Sequence, residues 1–284
     1  MRKVTASLGI VLTLALLALA QGPHQFRPGF NLFSKEQDVQ LGKEAASQVE
    51  KQSKIVTDAV VSNYVQRIGE RLAVTPDAGG YPYTFKVVAD NSINAFALPG
   101  GPTFVNTGLI LAADNEAQIA GVLAHEISHV ALRHGTNQAS KANLIRLPAA
   151  LAASMAGNGT MMGQLSQLGI GLGAGSVLLK FSRNAERDAD LLGSHIMAEA
   201  GYDPMEMARF FQKLEAEGGA RGPQFLSDHP NPGNRVTAVR NEVSYLPQRS
   251  YSKGNNAELA RVQSVVKQIK VPPPPPLQQQ QQPQ

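Results

Sequence analysis

The amino-acid sequence predicts an α+β fold, mainly helical, with one small antiparallel sheet. Two observations carry this reading. Strand-like segments are confined to residues 83–105, around the turn Pro99-Gly100-Gly101. On both sides of them, apolar residues recur at helical spacing between helix start and stop signals. Neither end reads as core, so about 250 residues remain, enough for one large domain over residues 34–248.

In chain order, residues 1–20, MRKVTASLGIVLTLALLALA, join a basic start at Arg2 and Lys3 to an apolar run. They end on the small-x-small pattern Ala18-Leu19-Ala20, which reads as a secretory signal peptide. An uncleaved inner-membrane anchor is the competing reading, and the run is at the short end of a spanning helix. Residues 21–33 form a leader. Ser34-Lys35-Glu36-Gln37 has the capping-box pattern and opens a helix to about Gln52. Thr57 can cap a second helix, with Val61, Tyr64, Val65, Ile68 and Leu72 at helical spacing. Pro76 and Gly79-Gly80 then break the chain. Tyr83 to Ala89 is strand-like, and NAFALPGGPTFV, Asn94 to Val105, reads as a hairpin. Asp114 or Asn115 caps a helix through about Arg133, with Ile119, Val122, Leu123, Ile127 and Val130 on its apolar side.

Residues 147–180 are rich in Ala, Gly, Leu and Met. Asn158, Gln164 and Gln167 interrupt them, so buried or lid-like helices fit better than a membrane insertion. A helix from about Arg183 to Ala200 ends at Gly201. Asp203-Pro204 starts the next. DHPNPGNR, Asp228 to Arg235, is a loop leading into a helix. Asn256 to Lys270 is a last amphipathic helix within the C-terminal segment 249–271. The prolines and glutamines of residues 272–284 bring no apolar surface and predict a disordered tail.

Charge and cysteine content exclude some chemistries. The chain has 26 basic and 22 acidic residues; without Arg2 and Lys3 the net charge is near +2. No basic block tracks phosphates, so no nucleic-acid partner is expected. There is no cysteine. Disulfides are excluded, and a metal ion would have to be held by histidine and carboxylate.

The stretch VLAHEISHVALRHG, Val122 to Gly135, holds three of the six histidines. A helix turns about 100° per residue, so His125 and His129 lie about 40° apart on one face. His134 lies about 180° from His125 and cannot join them if the helix continues; it and Arg133 read as structural partners. Glu126 beside His125 completes His-Glu-x-x-His, the pattern of zinc metallopeptidases, in which the glutamate is the general base. Zinc lowers the pKa of a bound water to about 7, and a carboxylate one residue beyond the first ligand can take that proton. A chance match on a surface helix is the bland alternative. The apolar neighbours VLA and VAL bury these groups, and burying three polar side chains without a role is costly.

A third ligand follows by elimination. A metzincin would carry glycine at 132 and histidine at 135, where this chain has Leu132 and Gly135. From Val130 to Ala185 there is no Asp or Glu, and no His other than His134. The first acid is Glu186, in SRNAERDADLLG, assigned as the third ligand. Asp190, four residues on, shares its helix face and is placed behind the metal, accepting a hydrogen bond from a ligand imidazole. The bland reading of Glu186 is a solvated charge in a first helical turn.

With these motifs, and with FNLFSKEQDVQLGKEAA, INAFALPGG, NTGLI and DHPNPGNRV, the chain resembles the zinc metallopeptidase family of the CAAX prenyl protease and the heat-shock protease HtpX. The likeness runs from about Phe30 to Leu246. It is most similar to soluble periplasmic members that enhance β-barrel assembly, without their helical-repeat domain. The resemblance implies a zincin-like, gluzincin-type fold whose sheet edge borders the cleft. It implies one zinc ion on His125, His129 and Glu186, with Glu126 as base. It further implies an extended polypeptide substrate along Asn94, Ala95, Phe96, Ala97 and Gly100, and contact of His229 and Arg235 with the substrate carbonyl. In some relatives a histidine of this loop instead fills the open zinc position and keeps the enzyme latent. An ordinary hairpin and a surface turn are the competing readings of the last two segments.

The expected function is a secreted or periplasmic zinc endopeptidase acting on unfolded or damaged envelope proteins. Peripheral membrane association and oligomeric state are left open. A zinc-binding chaperone or binding module plugged by His229 is the alternative. A non-peptide substrate is a third reading, and non-heme iron uses the same ligand set.

Overall fold

The computed structural model describes residues 24–141, 181–217, 223–231 and 233–273. The expected signal peptide, the apolar segment 147–180 and the tail from residue 274 lie outside these residues. No helix among the described residues is long and apolar enough to cross a membrane.

Local signals explain most helix starts. α1, Lys35–Gln52, begins at Ser34 with both bonds of the capping box in place. α2, Ala59–Ala73, starts one residue later than expected. Asp58, not Thr57, is its N-cap and accepts from the Val60 and Val61 amides, as a carboxylate at a helix N-terminus does well. Its predicted stripe Val61, Tyr64, Val65, Ile68 and Leu72 is wholly buried.

Strands β1, Thr84–Val88, β2, Ala95–Ala97, and β3, Pro102–Asn106, form one sheet in the order β1-β3-β2. The α+β expectation holds, but the sheet is mixed rather than antiparallel. β2 and β3 are the predicted antiparallel hairpin, with Phe96 opposite Phe104. The hairpin folds back so that β3 lies beside β1, and those two run parallel, with Thr84 opposite Pro102. Alternation identifies strands but not which strand lands in the middle. The short connection after β1 is tied to α3, Thr107–Ala112, a helix the sequence pattern did not show. Thr107 Oγ1 donates to the Asp90 carbonyl at 2.7 Å and accepts from the Asp90 amide at 3.0 Å.

The hairpin turn rests on α1. Gly100 has φ +75°, and a Cβ there would lie 2.4 Å from Val39 Cα. The glycine is therefore required by backbone conformation and by the approach of α1, independently of any substrate.

α4, Glu116–Ala131, runs through the centre of the molecule. It is buried from Glu116 through Val130, not on one side only, because α5, Arg183–Glu199, α6, Met205–Glu217, α2 and the edge strand β2 surround it. Ala117, Ala120, Gly121 and Ala124 let these neighbours approach. A Cβ at Gly121 would sit 2.6 Å from Met207 Cβ. The short α7, Gln224–Asp228, and α8, Arg235–Val243, close the site from the far side. α9, Asn256–Val266, buries Leu259, Val262 and Val266 against α2 and α3.

The leader straps these parts together. The His24 amide donates to Glu242 Oε1 at 2.8 Å, and Phe26 packs edge-on to His195. Asn31 Nδ2 donates to Thr136 Oγ1 at 2.7 Å, and the Leu32 amide donates to Ser140 Oγ at 2.8 Å.

Replacing Gly100 by Ala should lower stability by on the order of 2 kcal/mol, since both φ and Val39 oppose it. The measurement is the urea midpoint at constant m-value. An unchanged midpoint would return Gly100 to the substrate side.

Candidate active site

α4 places His125 and His129 one turn apart, and α5 brings Glu186 opposite them. The loop between α7 and α8 adds His229. The ligating atoms of these four buried residues all lie within 4.8 Å of one another. His125 Nε2 is 3.1 Å from His129 Nε2, 3.3 Å from His229 Nδ1 and 3.3 Å from Glu186 Oε2. Glu186 Oε1 is 3.3 Å from His229 Nδ1 and 3.6 Å from His129 Nε2. A tetrahedral zinc site with ligand bonds of about 2.0–2.1 Å has edges of about 3.3 Å. Five of the six separations among these residues, taken from one or the other Glu186 oxygen, approach that edge, and His229 stands at the corner a catalytic site keeps open.

The site's electrostatics favour a cation. Burial disfavours charge on His125, yet Asp190 and Glu186 outweigh it and push its pKa up to about 9. Burial likewise opposes ionisation of Glu186, but His125 and His229 hold its carboxyl well below the usual range. Glu186 Oε2 and Glu126 Oε1 are buried without a hydrogen bond. Such orphaned carboxylate oxygens are costly unless a cation satisfies them. Three imidazoles and a carboxylate, with no thiolate, suit zinc.

Glu126 is not one of the four clustered donors but stands against one of them, His229. Its Oε2 accepts the Ala97 amide at 3.0 Å, and its Oε1 lies 3.3 Å from His229 Nε2. Burial raises its pKa, and His229, His125 and the Ala97 amide only partly oppose that shift. A carboxylate of raised pKa is suited to take a proton and give it back near neutral pH.

Asp190 stands behind His125. Its Oδ1 is 3.0 Å from His125 Nδ1. Burial opposes its ionisation, but Arg235 and His125 hold its carboxyl below the ordinary value. Arg235 makes two bonds to it, Nε to Oδ2 at 2.9 Å and Nη2 to Oδ1 at 2.7 Å, and lies 4.0 Å over the Phe211 ring. In this arrangement Arg235 fixes Asp190, leaving its buried Nη1 without a partner.

The segment expected to meet substrate divides by role. Asn94 is buried. Its amide nitrogen donates to Asp228 Oδ2 at 2.9 Å, and its Oδ1 accepts the Ala95 amide at 3.0 Å. It thus ties the sheet edge to the loop that carries His229. The Asn94 carbonyl and the Leu98 amide bond to β3, so the alternating ladder leaves the backbone of Ala95 and Ala97 on the outer edge. Phe96 stacks on Phe104. Gly100 is accounted for by α1.

His134 is not among the four clustered donors, yet it lies nearer to His129 than a continuing helix would put it. α4 ends at Ala131, and Arg133 takes φ +57°, so the chain turns back and His134 Nδ1 lies 2.9 Å from His129 Nδ1. A left-handed arginine costs about 1–2 kcal/mol. Its Nε bond to Asp38 at 2.6 Å and its Nη2 bond to the Phe33 carbonyl at 2.6 Å offset that. Three aromatic supports also went unread: Phe181 stacks on His129 at 4.1 Å, Phe225 on His229 at 4.5 Å, and Phe211 on Phe225 at 5.1 Å. Phe225 and His229 are only four residues apart, whereas sequence spacing carries no signal for the other two contacts, which join distant segments.

Asp190→Ala should weaken metal binding by about 10–100-fold, read by chelator competition. It also leaves Arg235 buried and unpaired, a loss of roughly 3–5 kcal/mol in unfolding. A carboxyl held below its ordinary pKa stabilises the fold above about pH 4 and loses that contribution as pH falls through its folded value. The variant's stability should accordingly decline less steeply below about pH 4.

Comparison with known proteins agrees with this geometry. The chain is 29% identical over 241 residues to the β-barrel assembly-enhancing protease of Escherichia coli (strain K12), covering 81% of this chain and 48% of that protein. It therefore spans about half the length of that relative. It is 32% identical over 201 residues to the metalloprotease LoiP of the same organism, covering 69% of this chain and 77% of that one. Against the mitochondrial metalloendopeptidase OMA1 of Schizosaccharomyces pombe it is 31% identical over 187 residues, 65% of this chain and 53% of the other. The family model for peptidase family M48 matches residues 60–243, from the start of α2 to the end of α8 and across every residue of the donor cluster. The chain belongs to peptidase family M48.

Proposed function

We propose that this chain is a zinc-dependent endopeptidase that cleaves extended polypeptide, with one zinc ion held by His125, His129 and Glu186. The observation that carries the proposal is the placement of Glu126. It is a buried carboxylate of raised pKa beside the donor tetrahedron and hydrogen-bonded to the sheet edge at Ala97. Zinc there would supply Lewis acidity toward water and the scissile carbonyl. Glu126 would take the proton of the attacking water and return it to the leaving amine. The outward backbone of Ala95 and Ala97 would pair with substrate as an added strand, which holds any sequence in register. To reach Ala97, a substrate strand has to displace the Glu126 carboxylate from the Ala97 amide, which frees the base as the peptide arrives.

His229 at the fourth corner describes a closed form of the site. Substrate entry then requires the Asp228–Arg235 loop to withdraw, after which His229 and the unpaired Arg235 Nη1 could meet the substrate carbonyl. The signal-like residues 1–20 favour a secreted or periplasmic enzyme, whose substrates would be unfolded or damaged envelope proteins. The same corner favours a second reading, a zinc-binding module that His229 keeps closed.

The test is casein cleavage by residues 21–284 with metal content read on the same sample. Wild type should hold about one zinc, as a single site requires. Glu126→Gln should keep the zinc and lose activity about 10²–10⁴-fold. A gain in His229→Ala marks the closed form as latent, and a loss with zinc retained assigns His229 to the oxyanion. Zinc-loaded wild type and His229→Ala that are both silent would move the assignment to the binding module.

A further inference from the structure

The two imidazole ligands of α4 are supported differently. His125 has a carboxylate at its Nδ1, from Asp190 at 3.0 Å. His129 has another imidazole there, His134 Nδ1 at 2.9 Å. Asp190 can only accept, so the tautomer of His125 is fixed: Nδ1 carries a proton and Nε2 can face a metal. His134 can either accept or donate, and the two choices have opposite consequences.

If His134 Nδ1 donates, His129 Nδ1 is the acceptor. Neutral His129 then carries its proton on Nε2, the atom that faces His125 Nε2 at 3.1 Å and Glu186 Oε1 at 3.6 Å. Such an imidazole cannot ligate. If His134 Nδ1 accepts, His129 donates from Nδ1 and its Nε2 lone pair is free. Only the second direction suits a metal site.

We propose that His134 is a positioning residue that accepts the Nδ1 proton of His129 and so holds His129 in its metal-ligating tautomer. The backbone is arranged for this. The turn at Arg133, with φ +57°, brings His134 back over the end of α4, and Asp38 and the Phe33 carbonyl pin that arginine. Phe181, stacked on the His129 ring, limits its rotation about the bond to His134. The role rests on the metal-site reading, but its proton arrangement is a property of the chain without metal.

The test uses residues 21–284 as wild type, His134→Phe and His134→Asn. Phenylalanine keeps a ring and removes the acceptor; asparagine can place an amide oxygen where Nδ1 stood. In the metal-free protein, long-range ¹H–¹⁵N spectra should show His129 with its proton on Nδ1 in wild type and His134→Asn, and mixed tautomers in His134→Phe. By chelator competition, zinc affinity should fall about 10–100-fold in His134→Phe and return close to wild type in His134→Asn. Circular dichroism and thermal midpoints of the metal-free variants check the fold, and a His134→Phe that fails to fold leaves the wild-type spectrum and His134→Asn to decide. Two results would overturn the role of His134: a proton on Nε2 of His129 in the wild-type spectrum, or equal zinc affinity in wild type and a folded His134→Phe. A wild type that binds no zinc would instead overturn the peptidase reading, while its spectrum still decides the role of His134.

Discussion

A helix buried on every side has to find a partner for each polar group it carries, and α4 carries seven such side chains between Asn115, its cap, and His129. The packing around it can be read as the set of answers. At its start, Asn115 caps the helix and donates to Glu206 of α6, while Glu116 takes Tyr202 and Arg67. Between Glu126 and His129, Ser128 returns its hydroxyl to the Ala124 carbonyl. At its end, Asp190, the Ala97 amide and His134 meet His125, Glu126 and His129 in turn. Every neighbouring element therefore contributes both apolar surface and one or more polar contacts. Small residues along α4 bring the neighbours close enough for both.

How much of this was legible follows from the range of each signal. Local signals were readable: the Ser34 capping box, the buried stripe of α2, the hairpin, and the spacing that sets His125, His129, Glu186 and Asp190 on common faces. What failed depended on the path of the chain. The hairpin was correct, yet β1 lies parallel to β3 because strand order is set by three-dimensional packing. The placement of His134 assumed a continuing helix, and a single left-handed residue at Arg133 reversed it. Nothing in Leu132-Arg133-His134-Gly135 marks that turn locally, since the contacts that hold it come from Phe33 and Asp38. Arg235 also pairs with Asp190, a partner 45 residues away in sequence that spacing does not reveal.

The site is assembled from segments that do not stabilise one another locally. Two of the clustered donors lie on α4, one on α5 and the fourth on the loop before α8, and each brings a group that is costly to bury alone. A bound cation would favour only the state in which all are in place, so metal binding and completion of the fold are coupled through the same atoms. The Asn94–Asp228 bond extends that coupling to the sheet edge. The strand that would receive a peptide and the loop that fills the fourth corner are thus joined by one hydrogen bond between buried side chains.

The leader strap has a consequence in time. Its first described residue, His24, bonds to Glu242, a separation of 218 positions, and Leu32 bonds to Ser140, 108 positions away. A ribosome makes residue 24 long before residue 242, and a chain exported N-terminus first delivers them in the same order. The earliest part of the polypeptide must wait for nearly the last helix before it can settle, and such distant closures are slow to form. Among the described residues, the segment that emerges first is therefore one of the last to be fastened.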